Sequence, residues 1–278
     1  MRKMINKSVL LTVLTLSTAT VLAEENTALD CVIEPHELVE ISSPVSGILD
    51  VFNVERGDTV KKGQVVAKLK SGVEEVSVRL AKVRADMDAD IYARKAEFDL
   101  KKRSSEQLET LFNKKMASLH DHDDAKTLSV IADFEHKKAI ELRHVAQVEL
   151  EHAQEVLNQR FLKSTVDGVV VERMKSPGEY VADQPVLKIA QIDPLNVEVI
   201  APLDLLGSVF VGMDLEVRAE QPVGEVFMAK VVVVDPVIHA SSGTFGIRLN
   251  LPNPTHKISA GLRCKVSFNK NKKAPAKG

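Results

Sequence analysis

Apolar and polar positions along this chain change period twice. From Ser43 to Leu69 the apolar residues come in short runs broken by glycine (Val45, Ile48-Leu49, Val60, Val65-Val66-Ala67), the pattern of strands joined by tight turns. From Val73 to Asp167 there is neither glycine nor proline, and good helix formers dominate: Ala, Leu, Glu, Lys, Arg and Gln. Within that stretch Val76, Leu80, Val83, Met87 and Ile91 recur at three- and four-residue steps, and Phe98, Leu108 and Phe112 continue the face less regularly. Leu128, Ile131, Leu142, Ala146, Leu150, Ala153 and Leu157 follow the same rule further on. Each set predicts the narrow apolar seam of one helical arm. The polar stretch from Met116 to Asp124 interrupts them, with Ser118 or Asp121 placed to cap a second helix. The expectation is an antiparallel helical hairpin with arms of about 40 residues, each about 60 Å long at 1.5 Å per residue.

The segments on either side of this insertion are copies of one another. Ser43–Val60 (SPVSGILDVFNVERGDTV) and Ser164–Val181 (STVDGVVVERMKSPGEYV) align without gaps at an offset of 121. Gly47 falls on Gly168, Gly57 on Gly178, Val45 on Val166, Ile48-Leu49 on Val169-Val170, and Val60 on Val181. Gly47, Gly57, Gly168 and Gly178 read as turn glycines supplying positive φ. Two such halves, each with one apolar face, predict a small flattened β-sandwich split by the hairpin. Strand character returns after Val181, at Leu195–Ile200, Val209–Val217, Val226–Val234, Gly246–Leu251 and Cys264–Phe268, which predicts a small β-barrel. The fold class is therefore mixed α and β, elongated and multi-domain: a split β-sandwich with an inserted antiparallel α-helical hairpin, followed by a β-barrel.

Composition narrows the function. The 278 residues carry 37 basic and 39 acidic side chains, no Trp and only two Tyr. Neither a basic face nor stacking aromatics mark a nucleic-acid partner. Arg2, Lys3 and Lys7 precede a run from Val9 to Val21 that is shorter than the ~20 residues needed to span a bilayer, and Val21-Leu22-Ala23 ends it with small residues at −3 and −1. This reads as an export signal cleaved after Ala23; an uncleaved anchor is the other reading. Export places Cys31 and Cys264 in an oxidising compartment, where they can either pair or remain two buried thiols.

Few constellations carry chemistry. His120-Asp121-His122-Asp123-Asp124 groups metal-capable side chains on an expected loop, but at no specific ligand spacing, and a polar hairpin tip explains it equally. His136, His144 and His152 recur every eight residues, a drift of about 80° on a helix, and do not converge. Asp235, His239, Ser241 and Ser242 sit among strands and turns, and no phosphate loop or nucleophile elbow is found. No enzyme activity, metal or cofactor is expected.

The residues Ser43-Pro44-Val45-Ser46-Gly47 and Val54 to Gln64, with Asp167-Gly168-Val169-Val170 and Pro177-Gly178-Glu179-Tyr180-Val181, resemble the two halves of a lipoyl domain. A covalent carrier would need a modifiable lysine on the turn that the hairpin replaces; Lys68 and Lys70 read as ordinary surface lysines. A lipoyl domain split by a hairpin and followed by a barrel resembles the HlyD-like periplasmic adaptor (membrane fusion protein) family, of the type serving resistance-nodulation-division pumps. Asp235-Pro236, Ser242-Gly243-Thr244-Phe245 and Gly261-Leu262 are similar to that family's barrel signatures. The resemblance implies a signal peptide (1–23), an N-terminal strand joining the barrel (24–38), lipoyl-like halves (39–71 and 162–191), the hairpin (72–161), the barrel (192–269) and a basic tail (270–278). It also implies periplasmic localisation beside the inner membrane. The implied partners are an inner-membrane efflux transporter, an outer-membrane channel and further copies of the chain in a ring (a hexamer or trimer of dimers). In this family the tip meets the channel through Arg, Leu four residues on and Ser seven later. Leu111 and Ser118 keep that spacing, and Gln107 stands where Arg is expected. Many relatives carry a further membrane-proximal domain after the barrel, and here only a short tail follows Phe268. The rival expectation is a periplasmic protein that binds and delivers a metal or small molecule.

Overall fold

The computed structural model describes residues 26–220 and 224–269. The expected signal peptide and basic tail lie outside the described residues. In chain order the elements are β1 (Asn26–Ser42), β2 (Gly47–Phe52), β3 (Thr59–Val60), β4 (Val65–Leu69), α1 (Gly72–Ala85), α2 (Ala89–Asn113), α3 (Leu119–Asn158), β5 (Phe161–Lys163), β6 (Gly168–Arg173), β7 (Tyr180–Val181), β8 (Pro185–Pro202), β9 (Asp214–Ala219), β10 (Val226–Val234), β11 (Thr244–Leu251) and β12 (Arg263–Asn269). The chain divides into two compact units. One comprises Pro35–Leu195 with Asn253–Ala260; the other comprises Asn196–Pro252 with the segments before Pro35 and after Ala260. The mixed architecture read from the sequence is present: sandwich, hairpin and barrel.

In the first unit the repeat is a pair of interlocked halves. Positions related by the offset of 121 meet in one apolar core: Leu49 with Val170, Val60 with Val181, Val66 with Leu187, and Ile41 with Leu162 are all buried there. The halves begin alike, Ser43 and Ser164 each accepting the amide N–H two residues on (3.3 and 3.4 Å). They then clasp one another. The Gly57 N–H donates to the Val170 carbonyl (2.9 Å) and the Val170 N–H donates to the Asp58 carbonyl (2.9 Å). At the related positions the Gly178 N–H donates to Leu49 (2.7 Å) and the Leu49 N–H donates to Glu179 (2.9 Å). β3 pairs with β6 and β2 with β7, so each half completes its ladders with a strand from the other.

The four repeat glycines divide into two kinds, which corrects the reading of all four as positive-φ turns. Gly57 and Gly178 do sit in the left-handed region, at φ 95° and 93°. Gly47 and Gly168 open strands β2 and β6 without positive φ, and what they provide is close approach. A Cβ on Gly168 would lie 2.3 Å from the Ala190 carbonyl oxygen, and one on Gly47 would lie 2.7 Å from the Arg160 guanidinium.

That guanidinium fastens the base of the hairpin. Arg160, just past α3, donates to the Ser46 carbonyl (2.9 Å) and to Glu74 Oε1 in the first turn of α1 (2.6 Å). Beside it Lys68 and Ser71 donate to Glu75, and the lysine's hydrogen bond, then the serine's, holds that carboxyl below the usual carboxylate range.

The arms keep part of the expected seam, with Ile91, Phe98, Leu108, Phe112, Ala146, Leu150, Ala153 and Leu157 half-buried, and depart from it elsewhere. Phe98 stacks on His136 and Phe112 on His122, and Glu74 pairs with Arg160. In each pair the residue numbers sum to 234 (98 with 136, 112 with 122, 74 with 160), so one antiparallel register holds from base to tip. The buried seam positions are alanines: Ala81 and Ala85 on α1, and Ala125, Ala132 and Ala139 on α3, the last three spaced by sevens. Val76, Leu80, Val83 and Met87, expected inside, are exposed, as are Leu128, Ile131 and Leu142. Small residues hold the most buried seam positions, where they let the helices approach closely, and these seven larger apolar residues lie on the outside. The first arm is also two helices, broken at Asp86–Asp88. Lys82 and Arg84 close α1, and Asp90 lies in the first turn of α2. This is the charge order of one helix ending and another beginning.

In the second unit β1, β12, β9, β10, β11 and β8 follow one another in pairing order, and β8 also pairs with β1. Strict alternation fills the interior: Leu215, Val217 and Ala219 on β9; Phe245, Ile247, Leu249 and Leu251 on β11; Cys264, Val266 and Phe268 on β12. The expected strand Val209–Val217 begins only at Asp214, since Leu206–Met213 makes turns that bury Val209 and Met213. Cys31 and Cys264 face one another in the β1–β12 ladder, their Cα atoms 4.8 Å apart and their sulfurs bonded across 233 residues.

Gly168→Ala is expected to cost at least about 2 kcal/mol, because a carbonyl of the ladder must move. Gly57→Ala, strained only in φ, should cost about 1 kcal/mol; urea unfolding of the two variants measures the difference. Replacing both cysteines with alanine is expected to remove about 3–5 kcal/mol, the loss for a cross-link closing so long a loop. Thermal unfolding with and without a reducing agent should show the same shift in the parent protein and none in the variant.

Candidate functional site

The hairpin tip is the site the sequence singles out, and its shape follows from two helix ends. α2 ends with Lys114, and Lys115 adopts a left-handed conformation at φ 59°. The Met116 N–H then reaches back to the Leu111 carbonyl and the Lys115 N–H to Phe112, both at 2.8 Å. This pair of bonds is a Schellman motif, with a lysine where glycine is usual. α3 starts two residues later. Ser118 is its N-cap, accepting the Asp121 N–H (3.1 Å) while its hydroxyl donates to the Asp121 carboxylate (2.6 Å).

His120 to Asp124 therefore lie in the first turns of α3, not in a loop. Residues two apart on a helix are about 200° apart, so the two histidines diverge. His120 points to solvent within 3.4 Å of Asp124, its side chain 83% exposed. His122 turns into the seam, stacks on Phe112 at 4.9 Å and meets Asp123 at 3.0 Å. No group of three or more metal-capable side chains converges among the described residues. The cleft beside them, lined in part by Leu108, Asp121 and Asp124, holds about 280 Å³, under the ~300–1,000 Å³ usual for small-molecule sites.

Of the expected contact residues, Gln107 and Leu111 lie on the last turns of α2 and Ser118 caps α3; all three are exposed. Ser118 is committed to its cap, which leaves its outward surface rather than a free hydroxyl for a partner. Sequence reasoning missed Met116 and Leu119, 72% and 60% exposed, which with Leu111 make the tip apolar. The signal was legible: an apolar pair five residues apart across a basic turn, Leu111 and Met116, is the pairing that accompanies a Schellman end. The tip thus presents three apolar side chains rimmed by lysines 114 and 115 on one side and the acidic first turns of α3 on the other.

The tip thus belongs to a β-sandwich split by a helical hairpin, in a chain that also carries a β-barrel. The CzcB-like barrel-sandwich hybrid domain matches residues 37–191, and the CusB-like β-barrel domain matches 195–272. The first of these matches covers more than half of the chain, which belongs to the CzcB-like barrel-sandwich hybrid family. Its fold is similar to that of MacA from Actinobacillus actinomycetemcomitans, at 24% identity and a TM-score of 0.72, covering 88% of this chain and 78% of that one. It is also similar to the membrane fusion protein Spr0693 from Streptococcus pneumoniae R6, at 15% identity and a TM-score of 0.57, covering 86% and 97%. An uncharacterized protein of Haemophilus influenzae is 20% identical over 234 residues, 83% of this chain. The chain spans about half (54%) of the length of that curated relative.

Lys115→Gly is expected to stabilise the tip by about 1 kcal/mol by removing the left-handed cost. Ser118→Ala should cost about 1 kcal/mol by uncapping α3. Hydrogen exchange of amides 119–124 would slow in the first variant and quicken in the second.

Proposed function

We propose that this chain is the periplasmic adaptor of a tripartite export system, coupling an inner-membrane transporter to an outer-membrane channel without catalysing a reaction itself. The carrying observation is the hairpin: α3 is one uninterrupted helix of 40 residues, about 60 Å long, rooted in a β-sandwich and ending in the apolar tip of Leu111, Met116 and Leu119. Such a rod is a spacer with a contact at its end. The tip docks on the channel, and the barrel, matched by a CusB-like family model, docks on a transporter of the resistance-nodulation-division class. A tip of three apolar side chains offers little area per copy, so several copies act together in a ring, gaining affinity through avidity. Export delivers the chain to the periplasm; among the described residues no helix is long and apolar enough to cross a membrane. Metal delivery is disfavoured by the divergence of His120 and His122.

With Gln107 where the resemblance leads one to expect arginine, the contact rests on Leu111, Met116 and Leu119, and Lys114 and Lys115 supply the cations beside them. A photoreactive residue at Met116 is expected to capture an outer-membrane channel in cells, and one at the exposed Val237 of the barrel an inner-membrane transporter. Recovery of the chain alone from both positions would overturn the coupling role.

A further inference from the structure

The two cysteines of the chain are bonded to one another at the place where the barrel closes on itself. Cys31 is on β1 and Cys264 on β12, in a ladder that runs from Asn26 opposite Asn269 to Val32 opposite Arg263. β12 is held on its other side by β9, and β1 by β8, so this ladder joins the first described strand to the last. Strand alternation turns both cysteines inward. Cys264 shares the interior with Val266 and Phe268, and Cys31 shares it with Ile33, while Asp30, Val32, Arg263 and Lys265 face out. A cleft of about 540 Å³, lined in part by Asp30, Val32, Arg263 and the two cysteines, lies along the ladder. It still leaves Cys31 only 4% and Cys264 only 1% exposed. A thiolate exchanges with a disulfide only by reaching one of its sulfurs, and a second protein cannot reach residues so covered.

Sequence order adds another constraint. β2 to β11 and the whole hairpin lie between the two strands, and 233 residues separate the cysteines. The bond therefore waits until Cys264 has followed Cys31 into the same compartment. With only two cysteines there is one intramolecular pairing and nothing to rearrange. The chain thus requires an oxidant rather than an isomerase, and the oxidation must be complete before the barrel has closed.

We infer that the chain is a substrate of a thiol–disulfide oxidoreductase, a protein carrying a reactive disulfide, which oxidises Cys31 and Cys264 ahead of barrel closure. Cys31, the first to arrive, attacks the enzyme disulfide as a thiolate. A bond forms between Cys31 Sγ and one enzyme sulfur, and the other enzyme sulfur leaves as a thiolate and takes up a proton. The Cys264 thiolate then attacks Cys31 Sγ, which forms the Cys31–Cys264 bond and releases the first enzyme sulfur, protonated in turn. Two chain thiols and one enzyme disulfide become one chain disulfide and one enzyme dithiol, with two electrons and two protons passed to the enzyme. Closure of the barrel buries the product. The inference rests on the export reading for its oxidising compartment, and on burial and topology for its order of events.

The test has an arm in solution and an arm in cells. The purified full chain is reduced, and oxidation of its thiols by glutathione disulfide is followed with the chain folded and in urea. Oxidation is expected to be at least about 100-fold slower in the folded chain, and reduction of the finished bond by dithiothreitol slower by a similar factor. The reduction arm needs only the oxidised chain, so it decides even where the reduced chain does not fold; equal rates folded and in urea would overturn the inference. In cells, Cys264→Ala removes the thiol that completes the exchange. It is expected to leave Cys31 bonded to an oxidoreductase, as an adduct on a non-reducing gel that a reductant releases. No such adduct beside a fully oxidised parent chain would mean that oxidation needs no enzyme and would overturn the inference. Free thiols in a parent chain cleaved after Ala23 would overturn it with the export reading intact, and free thiols in an uncleaved chain would remove both.

Discussion

The reciprocal clasp between the two halves of the repeat is the constraint on which the rest of the first unit depends. Gly57 bonds across to Val170 and Gly178 across to Leu49, so neither half can complete its backbone pairing alone. Unpaired ladder groups buried in a core each cost as much as a lost hydrogen bond. The halves must therefore meet, although 121 residues separate them in sequence. The hairpin makes that meeting inexpensive in entropy: an antiparallel pair of helices returns the chain to the point from which it left. Had the insertion been a flexible loop, closing it would have opposed folding.

Where the chain leaves and returns, the geometry is fixed by one side chain. Arg160 spans the Ser46 carbonyl and Glu74, and it passes so close to Gly47 that a Cβ there would push the guanidinium out of this position. Position 47 thus serves both modules: it opens a sandwich strand and leaves room for the clamp that sets the root of the hairpin. Gly168, its counterpart in the repeat, has the same lack of side chain for another reason, the Ala190 carbonyl. A duplicated residue has kept its identity while its physical task diverged.

Much of this was legible in the sequence, and what was not had physical causes. The repeat, the hairpin and the barrel strands were visible because glycine spacing, the absence of breakers and period-two alternation each report local backbone preference directly. The seam was misread in part, near the base of the first arm and at Leu128, Ile131 and Leu142, because periodicity locates an apolar face without saying what covers it. Val76, Leu80, Val83 and Met87 carry the stronger apolar signal, and Ala81 and Ala85, one step round, carry the packing. The break at Asp86–Asp88 was written in charge rather than in Gly or Pro, with Lys82 and Arg84 before it and Asp90 after. At the tip, the family resemblance pointed to Gln107, Leu111 and Ser118; Met116 and Leu119 were hidden within a stretch that reads as polar, and the cap geometry brings them out.

An alanine seam also bears on how such a rod transmits force. Alanine buries little area, so the base clamp and the Phe98–His136 and Phe112–His122 stacks add to what the seam supplies. An isolated hairpin of this composition is weakly braced along its length, and the break in the first arm gives it a place to bend.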